Sequence, residues 1–374
     1  MRMGIDCREI YDVKNGRGAG IARYVFNLAS AMLKMRRDDL EFVLFFDKKI
    51  GKETLEELRR SGGFEPIFVG RGIPFVSGHV YFPLIVRNAG VDKMIFPANV
   101  MPLLCFRKAL VVVHDLAIYP HPEWFPPQWF STKILVPWSL IKAWRIVAVS
   151  KNTKKDVLEI FPNVDADKVD VVYPAPSLFG NRLSHGASAH NVGVKDRYIV
   201  FVGTLEPRKN VVNLLRAFVE YSRESGDDLK LKLISAWGWK TEEIRRALRA
   251  ANDAAPERIE YLGALNDEEK VEIVSGARAL LLPSFYEGFG LPIVEAMKLG
   301  VPVVAGDNSS MSEISDRAAL LVDPMNVEEI KSAIKKILTD QNFAKELSAR
   351  GRVVAEKFDW DKTAREFMDV LNSN

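Results

Sequence analysis

Short apolar runs alternate with segments of helical periodicity along the whole chain. Continuous apolar runs are typical of strands that are buried on both faces of a parallel sheet. In the first half they fall at Met3–Asp6, Glu41–Phe46, Pro66–Val69, Met94–Phe96, Leu110–Val113, Ile146–Val149 and Val169–Tyr173. In the second half they fall at Tyr198–Val202, Leu229–Ser235, Ile259–Leu262, Ala279–Pro283, Val301–Ala305 and Ala319–Val322. This alternation predicts an α/β protein with a doubly wound sheet in each half.

A stretch without periodicity separates the two halves. It starts at Pro174-Ala175-Pro176 and continues through Gly, Ser, His and Asn to about Asp196, which is a linker composition. A chain of 374 residues is long enough for two domains. We predict an N-terminal domain over residues 1–178 and a C-terminal domain over 197–356. The last segment, 357–374, is predicted to be an amphipathic helix with Trp360 as a packing residue.

The most informative stretch is LLLPSFYEGFGLPIVEAMKLGVPVVAG, residues 280–306. Pro292 opens a short helix and Gly300 closes it, so the stretch predicts a strand, a loop, a helix and a second strand. The loop carries Glu287 and the helix carries Glu295. The flanking Gly288 and the free N–H groups at the helix start, near Gly290 and Leu291, favour close approach of an anion.

A second candidate site is the turn that follows the first strand of the second half. It reads Gly203-Thr204-Leu205-Glu206-Pro207-Arg208-Lys209-Asn210 and precedes a helix. Two adjacent cations are unfavourable at a helix N-terminus unless an anion is bound there. Arg208 offers a planar fork of donors and Lys209 a point charge, and together they suit a diphosphate.

Two features of the first half point to the carboxyl edge of its sheet. A glycine-rich turn that contains Gly18 and Gly20 precedes a helix, an arrangement that binds phosphate. It is not a dinucleotide fingerprint, because Arg23 stands where the third glycine belongs. His114, with Asp115, follows the apolar strand Leu110–Val113, where ligands of such sheets bind.

Composition narrows the class of protein only slightly. The sequence is 48% hydrophobic and 27% charged, as in ordinary globular proteins. Residues 1–180 hold 25 Lys and Arg against 19 Asp and Glu, a net +6, and the remainder carries −3. The basic half suits an anionic acceptor or a membrane surface, although scattered surface charge explains it equally well. No nucleic-acid partner is expected.

Other segments bear on location and on metal binding. Two cysteines make no disulfide framework, the N-terminus has no signal-peptide core, and no apolar run is long enough to span a membrane, so a cytoplasmic protein is expected. The aromatic stretch 120–145 can line an acceptor site or meet lipid, but it is more typical of packing. Asp165-Ala166-Asp167 fits a turn rather than a metal motif. We expect no metal and no cofactor.

Several of these motifs resemble those of the retaining glycosyltransferases of family 4. Glu287 and Glu295 match the E-x7-E signature within EGFGLPIVEAMKLGVPVV, and Gly20-Ile21-Ala22-Arg23-Tyr24 is similar to the TGIGRY-type loop. His114-Asp115 and the Gly203–Asn210 turn resemble the family's histidine motif and phosphate turn. The resemblance implies the GT-B fold, two Rossmann-like domains facing across a cleft. The segment 357–374 would then cross back to the N-terminal domain.

The resemblance also implies roles for the site residues. Arg208, Lys209, the helix start near Gly290 and the Gly18–Gly20 loop would neutralise the leaving diphosphate. Glu295 would bind the ribose, and Glu287 the sugar hydroxyls together with backbone N–H groups. These groups belong to Gly288, Phe289 and Gly290. His114 would lie beside the anomeric carbon, and the Leu265 turn would hold the base.

One departure from the family concerns Thr204, which stands where many members carry an arginine directly after Gly203. Arg208 is expected to replace that guanidinium. The GTLEPRKN and GIARY strings look most like the mannosyl-transferring branch, so GDP-mannose is the first expectation for the donor and UDP-glucose the second. The acceptor would be a saccharide, free or linked to a lipid, with weak peripheral membrane contact through the N-terminal domain.

Two other classes of function stay open. One is an epimerase or a phosphorylase of the same fold, although no motif for pyridoxal phosphate is visible. The other is a non-catalytic protein that binds sugar nucleotides. The presence of Glu287, Glu295 and Lys209 argues against this second class.

Overall fold

Two parallel sheets organise the chain, which is described here from a computed structural model. The structure describes residues 1–11, 20–35, 39–70, 74–176 and 197–373. The predicted linker lies outside these ranges from residue 177 to Asp196. The glycine-rich residues 15–19 lie wholly outside them. One unit comprises Met1–Pro120, Pro127–Ser177 and Asp359–Asn374, and the other comprises His121–Pro126 and Leu178–Phe358.

The first unit contains a seven-stranded sheet with the order β3-β2-β1-β4-β5-β6-β7, and its neighbouring strands are parallel. Its strands are β1 (Arg2–Asp6), β2 (Glu41–Asp47), β3 (Glu65–Val69), β4 (Lys93–Phe96), β5 (Lys108–Val113), β6 (Arg145–Ala148) and β7 (Val169–Val171). Its α-helices up to this point are α1 (Gly20–Lys34), α2 (Lys52–Ser61), α3 (Pro74–Val76), α4 (Phe82–Asn88), α5 (Val136–Lys142) and α6 (Lys151–Ile160). The strand order reverses between β1 and β4.

Short irregular helices complete this unit. Two π-helical turns, Ser77–Tyr81 and Ser131–Leu135, lead directly into α4 and α5. A 3₁₀ turn covers Ala166–Lys168, and the side chain of Asp165 accepts a hydrogen bond from the backbone N–H of Asp167 at 3.0 Å. The Asp-Ala-Asp string therefore caps a turn, as the sequence predicted.

The second unit contains a six-stranded parallel sheet with the order β10-β9-β8-β11-β12-β13. Its strands are β8 (Tyr198–Val202), β9 (Lys230–Ile234), β10 (Ile259–Gly263), β11 (Leu280–Leu282), β12 (Val303–Gly306) and β13 (Leu320–Val322). Its α-helices are α7 (Val211–Ser225), α8 (Glu242–Ala254), α9 (Asp267–Ser275), α10 (Leu291–Leu299), α11 (Ser309–Ser315), α12 (Val327–Thr339) and α13 (Gln341–Ala355), and 3₁₀ turns cover Pro122–Trp124 and Pro207–Lys209. This is the doubly wound order, and the α/β GT-B prediction is confirmed for the two Rossmann-like sheets.

The central strands of both sheets are largely apolar because both of their faces are buried. In β5 the residues Ala109 to Val113 are at most 2% exposed, and in β11 the residues Leu280 to Leu282 are fully buried. Side chains of such strands have no solvent-facing side, so the alternation seen in half-exposed strands is lost. The charged candidate residues consequently follow the strands instead of lying within them.

The last helix, α14 (Trp360–Asn372), belongs to the first unit and packs on α1. Trp360 is 3% exposed and meets the ring of Tyr24 edge-on at 5.6 Å. Its indole N–H donates to the carbonyl of Pro176 at 2.9 Å. Trp360 therefore packs and hydrogen-bonds within this unit.

The segment His121–Pro126 differs from the sequence expectation. The predicted domain of residues 1–178 includes this segment, whereas its contacts in the structure group it with the second unit. The reason is its contacts: Trp239 and Lys240 donate hydrogen bonds to two of its backbone carbonyls. Within the described residues, no helix is long and apolar enough to cross a membrane.

Candidate functional site

The turn after β8 presents two cations at the point where the strand order of the second sheet reverses. Pro207–Lys209 forms a single 3₁₀ turn, and Asn210 ends it in the left-handed conformation, with φ at 56°. The Asn210 amide donates to the carbonyls of Pro283 at 2.9 Å and Pro324 at 2.7 Å. These bonds tie the turn to the loops that follow β11 and β13, so the cations have a fixed position.

Glu287 receives both cations. Its carboxylate accepts hydrogen bonds from the Nζ of Lys209 at 2.6 Å and from an Nη of Arg208 at 3.0 Å. The hydroxyl of Ser284 donates a third bond, at 2.8 Å. Glu287 is 5% exposed and Lys209 is 8% exposed. The structure thus brings three of the predicted residues together in one buried ion cluster, which we call the Lys209–Glu287 cluster.

The backbone of Glu287 is held by the start of α11. Its N–H donates to the Oγ of Ser309 at 3.0 Å, and its carbonyl accepts from the Oγ of Ser310 at 2.8 Å. The next support is Phe285, whose N–H donates to the carbonyl of Arg208 at 2.9 Å. The loop after β11 is therefore fixed on two sides by hydrogen bonds.

Electrostatics keep Glu287 ionised. Burial raises the pKa of its carboxyl, but the charges of Lys209 and Arg208 outweigh burial, and the net pKa lies below the usual value. Glu206 behaves in the opposite way: burial is the largest effect and raises its pKa. One Glu206 oxygen accepts from Arg208, and among the described residues the other is buried without a hydrogen-bond partner.

The loop and helix start after Glu287 are also buried. Gly288, Phe289 and Gly290 are buried, and Leu291 is half-buried. Gly290 has φ at 94°, a value that favours glycine, and it leads into α10. Pro292 has no N–H and the Ile293 N–H donates to the Gly290 carbonyl at 2.9 Å, so Leu291 provides the backbone donor by which this end of α10 suits a negative group.

Glu295 lies on α10 and forms a separate buried ion pair. Its Oε2 accepts from the Nζ of Lys270 at 3.0 Å, and both side chains are less than a tenth exposed. Lys270 comes from α9, whose first turn is fixed by a capping box between Asn266 and Glu269. Leu265, the predicted base-binding position, directly precedes that cap and is half-buried.

Gly203 and Thr204 begin the turn after β8, and both are half-buried. A Cβ at Gly203 would approach the Phe201 ring to 3.3 Å, with φ at 159°. Thr204 carries no charge, so the guanidinium at this turn comes from Arg208. That guanidinium already contacts Glu206 and Glu287.

In the first unit, His114 follows β5. Its backbone N–H donates to the Oδ1 of Asn99 at 2.7 Å. Its ring Nε2 lies 2.7 Å from the carbonyl of Pro97. Because a carbonyl only accepts, Nε2 carries the proton and Nδ1 is an acceptor in the neutral ring. Burial lowers the pKa of His114, which favours this neutral form. Tyr24 packs edge-on against the ring at 4.7 Å.

Of the two predicted phosphate-loop glycines, Gly18 lies outside the described residues. Gly20 is exposed and is the first residue of α1. A Cβ at Gly20 would meet no described atom within 4 Å, so packing of the described residues does not require glycine there. Its predicted role in phosphate binding stays a prediction.

Sequence reasoning missed four participants in this site. Glu206, Ser284 and Ser309 hold the Lys209–Glu287 cluster, and Lys270 holds Glu295. Glu206 lies within the Gly203–Asn210 turn but was given no role there, and no local signal in the sequence marks Lys270. Among the described residues, no group of three or more His, Cys, Asp or Glu is arranged to hold a metal ion.

Comparison with known proteins identifies the family. The family "Glycosyl transferases group 1" matches residues 187–354. O-antigen chain mannosyltransferase B of Escherichia coli is 32% identical over 272 residues, which cover 70% of each chain. The chain belongs to the group 1 glycosyltransferases, and its class of activity is the transfer of a glycosyl group. Members of this class bind nucleotide-sugar donors and saccharide acceptors.

Two further proteins are similar to this chain at lower sequence identity. Serotype-specific mannosyltransferase WbdA of Escherichia coli is 26% identical over 226 residues, which are 59% of this chain but only 27% of WbdA. The Anabaena protein Alr3699/HepE, solved in complex with UDP and glucose, has a TM-score of 0.77 over the full length of both chains at 17% identity. At that identity the structural match supports the fold alone.

Proposed function

We propose that this glycosyltransferase moves mannose from GDP-mannose to a saccharide hydroxyl, with retention of anomeric configuration and without a metal ion. Mannosyl transfer is supported by relatives that are named mannosyltransferases, one of them 32% identical. GDP as the nucleotide is supported by the sequence resemblance to the mannosyl-transferring branch. The observation that carries the proposal is the Lys209–Glu287 cluster beside the start of α10.

The cluster supplies the charge that a diphosphate needs. Lys209 and Arg208 are held within hydrogen-bonding distance of Glu287, so their positions are set before a donor binds. Preorganised cations stabilise developing negative charge without reorganisation at the moment of reaction. The Leu291 N–H at the start of α10 adds a second contact for the anion. We infer that these groups neutralise the leaving diphosphate in place of a metal ion.

The proposed reaction breaks the bond between the anomeric carbon and the diphosphate oxygen. The acceptor oxygen forms its bond to the same face of that carbon, and the acceptor proton passes to the departing phosphate oxygen. Glu287 orients the sugar hydroxyls, since a carboxylate accepts hydrogen bonds from them. Glu295 binds the ribose hydroxyls, and backbone groups near Leu265 hold the base. The role of His114 beside the anomeric carbon stays a prediction.

A second candidate donor is UDP-glucose. It is the second expectation from the sequence, and Alr3699/HepE, which shares the fold, was solved in complex with UDP and glucose. A non-catalytic sugar-nucleotide binder is the third possibility. A lipid carrier on the acceptor and a peripheral membrane contact of the first unit both stay predictions.

Thermal unfolding in EDTA tests the site and the base together. The protein is heated with GDP, UDP, ADP or dTDP at one common concentration, set at about 100 times the dissociation constant for GDP, where a specific ligand stabilises by roughly 2.7 kcal/mol. We expect GDP to give the largest shift, and Lys209→Ala to abolish it. Lys335→Ala is the control, because Lys335 is exposed on α12 and away from this cluster. A shift that needs a divalent metal, or one given by UDP alone, contradicts the corresponding part of the proposal.

A further inference from the structure

An aromatic segment is fixed against the second unit beside the loop that carries Glu287. The indole N–H of Trp239 donates to the carbonyl of Trp124 at 2.9 Å, and the Nζ of Lys240 donates to the carbonyl of Glu123 at 2.7 Å. The ring of Phe125 packs on Trp239, with centroids 6.0 Å apart. Two hydrogen bonds and one ring contact therefore hold this segment on residues that are more than 100 positions away in the sequence.

The segment builds a continuous aromatic wall. The rings of His121 and Trp124 stack with centroids 3.9 Å apart and 13° between planes. Trp124 in turn stacks on Phe285 at 5.7 Å and 18°. The three roughly parallel rings form one apolar stack, in which His121 and Phe285 both lie against the ring of Trp124, so the stack offers the cavity apolar ring edges and C–H groups.

This wall borders a cavity of about 570 Å³, which is within the size range of small-molecule sites. The other lining residues are polar or apolar and come from the loop after β12, the end of β13, the loop after β13 and the first turn of α12. They are Asp307, Asn308, Leu321, Val322, Asp323, Pro324, Met325 and Glu329. Lysine and arginine are absent from this lining in the described part of the chain. The cavity is therefore acidic and would repel a phosphate group.

The cavity and the Lys209–Glu287 cluster share one loop. Phe285 of the wall is two residues before Glu287. Asn308 of the lining donates from Nδ2 to the carbonyl of Ser284 at 3.3 Å, and the neighbouring Ser309 holds the Glu287 N–H. A ligand in this cavity would lie along the loop that presents the sugar-binding carboxylate.

We propose that this cavity binds one hexose residue of a neutral saccharide acceptor, an inference that rests on the proposed function. The apolar C–H face of a pyranose ring matches the apolar side of this ring stack, to which Trp124 contributes. Its hydroxyls match Asp307 and Asp323, because carboxylates accept and sugar hydroxyls donate. The Asp323 Oδ1 already accepts from the Met325 N–H at 2.8 Å, which fixes the orientation of that carboxylate. The acidic lining excludes the nucleotide and the anionic lipid headgroup from this position.

The test compares acceptor kinetics with donor kinetics in Trp124→Ala, Trp124→Phe and wild type, with mannotriose as acceptor and GDP-mannose as donor. We expect Trp124→Ala to raise the acceptor KM about tenfold, equivalent to 1.4 kcal/mol. The donor KM and the slow hydrolysis of GDP-mannose without acceptor should stay unchanged. Trp124→Phe should recover most of the acceptor affinity because it keeps an aromatic face.

The matched control is Trp129→Ala. Trp129 lies five residues further along, is 67% exposed and does not line the cavity, so its loss should leave the acceptor KM unchanged. If wild type fails to use GDP-mannose at all, the proposed function fails. If wild type transfers normally and Trp124→Ala keeps its acceptor KM, or loses donor affinity instead, the saccharide subsite is wrong and the proposed function stands.

Discussion

Replacing Glu287 by glutamine tests the energetics of the Lys209–Glu287 cluster. At the 2.6 Å separation of Lys209 Nζ and Glu287 Oε1, the Coulomb attraction is about 6 kcal/mol at an effective dielectric constant near 20. Much of that attraction offsets the cost of burying both charges. Removing one partner of a buried pair nevertheless costs about 3–5 kcal/mol, because the remaining charge is left uncompensated. Glutamine keeps a hydrogen-bonding oxygen, so we expect a loss near 3 kcal/mol.

Thermal unfolding at pH 7 measures this loss. For a unit of this size, about 3 kcal/mol lowers Tm by roughly 6–12 °C. The control is Glu346→Gln, because Glu346 is 65% exposed and its pair with Arg350 spans 3.7 Å on one helix face. Exposed pairs of this kind contribute about 0–1 kcal/mol. Equal Tm values for Glu287→Gln and Glu346→Gln would refute the argument that the cluster is electrostatically tight.

The stability difference between wild type and Glu287→Gln should depend on pH. The folded-state pKa of Glu287 lies below its usual value, so its contribution to stability is present above the unfolded pKa of about 4.3 and is lost as pH falls through the folded pKa. The stability gap between wild type and Glu287→Gln should thus be constant from pH 6 to 8 and shrink below about pH 4. The pKa of Glu206 is raised chiefly by burial, a cause that both proteins share, and in smaller part by Glu287. A gap that widens on acidification would contradict this account.

Three further predictions concern the supports of the site. Lys270→Met should lower the free energy of unfolding by about 3–5 kcal/mol because it leaves Glu295 charged and unpaired. Adding Glu295→Gln should recover part of this loss. Equal urea midpoints for the single and double variants would contradict a stabilising Lys270–Glu295 pair. Asn210→Ala should cost about 3 kcal/mol in thermal unfolding, since it loses two hydrogen bonds and leaves alanine at φ 56°; Asn210→Gly, free of the strain, should lose less. Trp360→Phe should cost roughly 1–3 kcal/mol because the Pro176 carbonyl loses its donor, and an unchanged unfolding free energy would argue against that bond.

The sheets were predictable because most strands are short and largely apolar runs. The run Leu110–Val113 corresponds to β5 and Tyr198–Val202 to β8. Strand ends were less predictable: Val301–Ala305 was expected, whereas β12 spans Val303–Gly306. The reason is that Val301 and Pro302 have apolar side chains but lie in the turn after Gly300. Side-chain polarity does not distinguish that turn from a strand.

The candidate site was predictable in part. Arg208, Lys209 and Glu287 each follow a strand, and the carboxyl ends of parallel strands share one edge, so their proximity follows from the fold class. That one carboxylate binds both cations does not follow, because the residues are 78 and 79 positions apart in sequence. The Lys270–Glu295 pair likewise depends on how α9 packs against α10, which no local pattern encodes.

The aromatic stretch shows a different limit of sequence reasoning. It was interpreted mainly as packing, and the contacts of Trp124 and Phe125 confirm that they pack. Their partners are Phe285 and Trp239, which are more than 100 residues away. Those partners belong to the second unit, so the packing that groups His121–Pro126 with that unit is not visible in the sequence order.

The most direct test of the central claim is a transfer assay with GDP-mannose and mannotriose in EDTA, followed by NMR of the product. GDP release is measured together with the one-bond C–H coupling at the new anomeric carbon, for wild type and Lys209→Ala. The account predicts stoichiometric GDP and a linkage with the α configuration of the donor, and it predicts that Lys209→Ala loses transfer. A β linkage, activity only with added metal, or full activity of Lys209→Ala would contradict it.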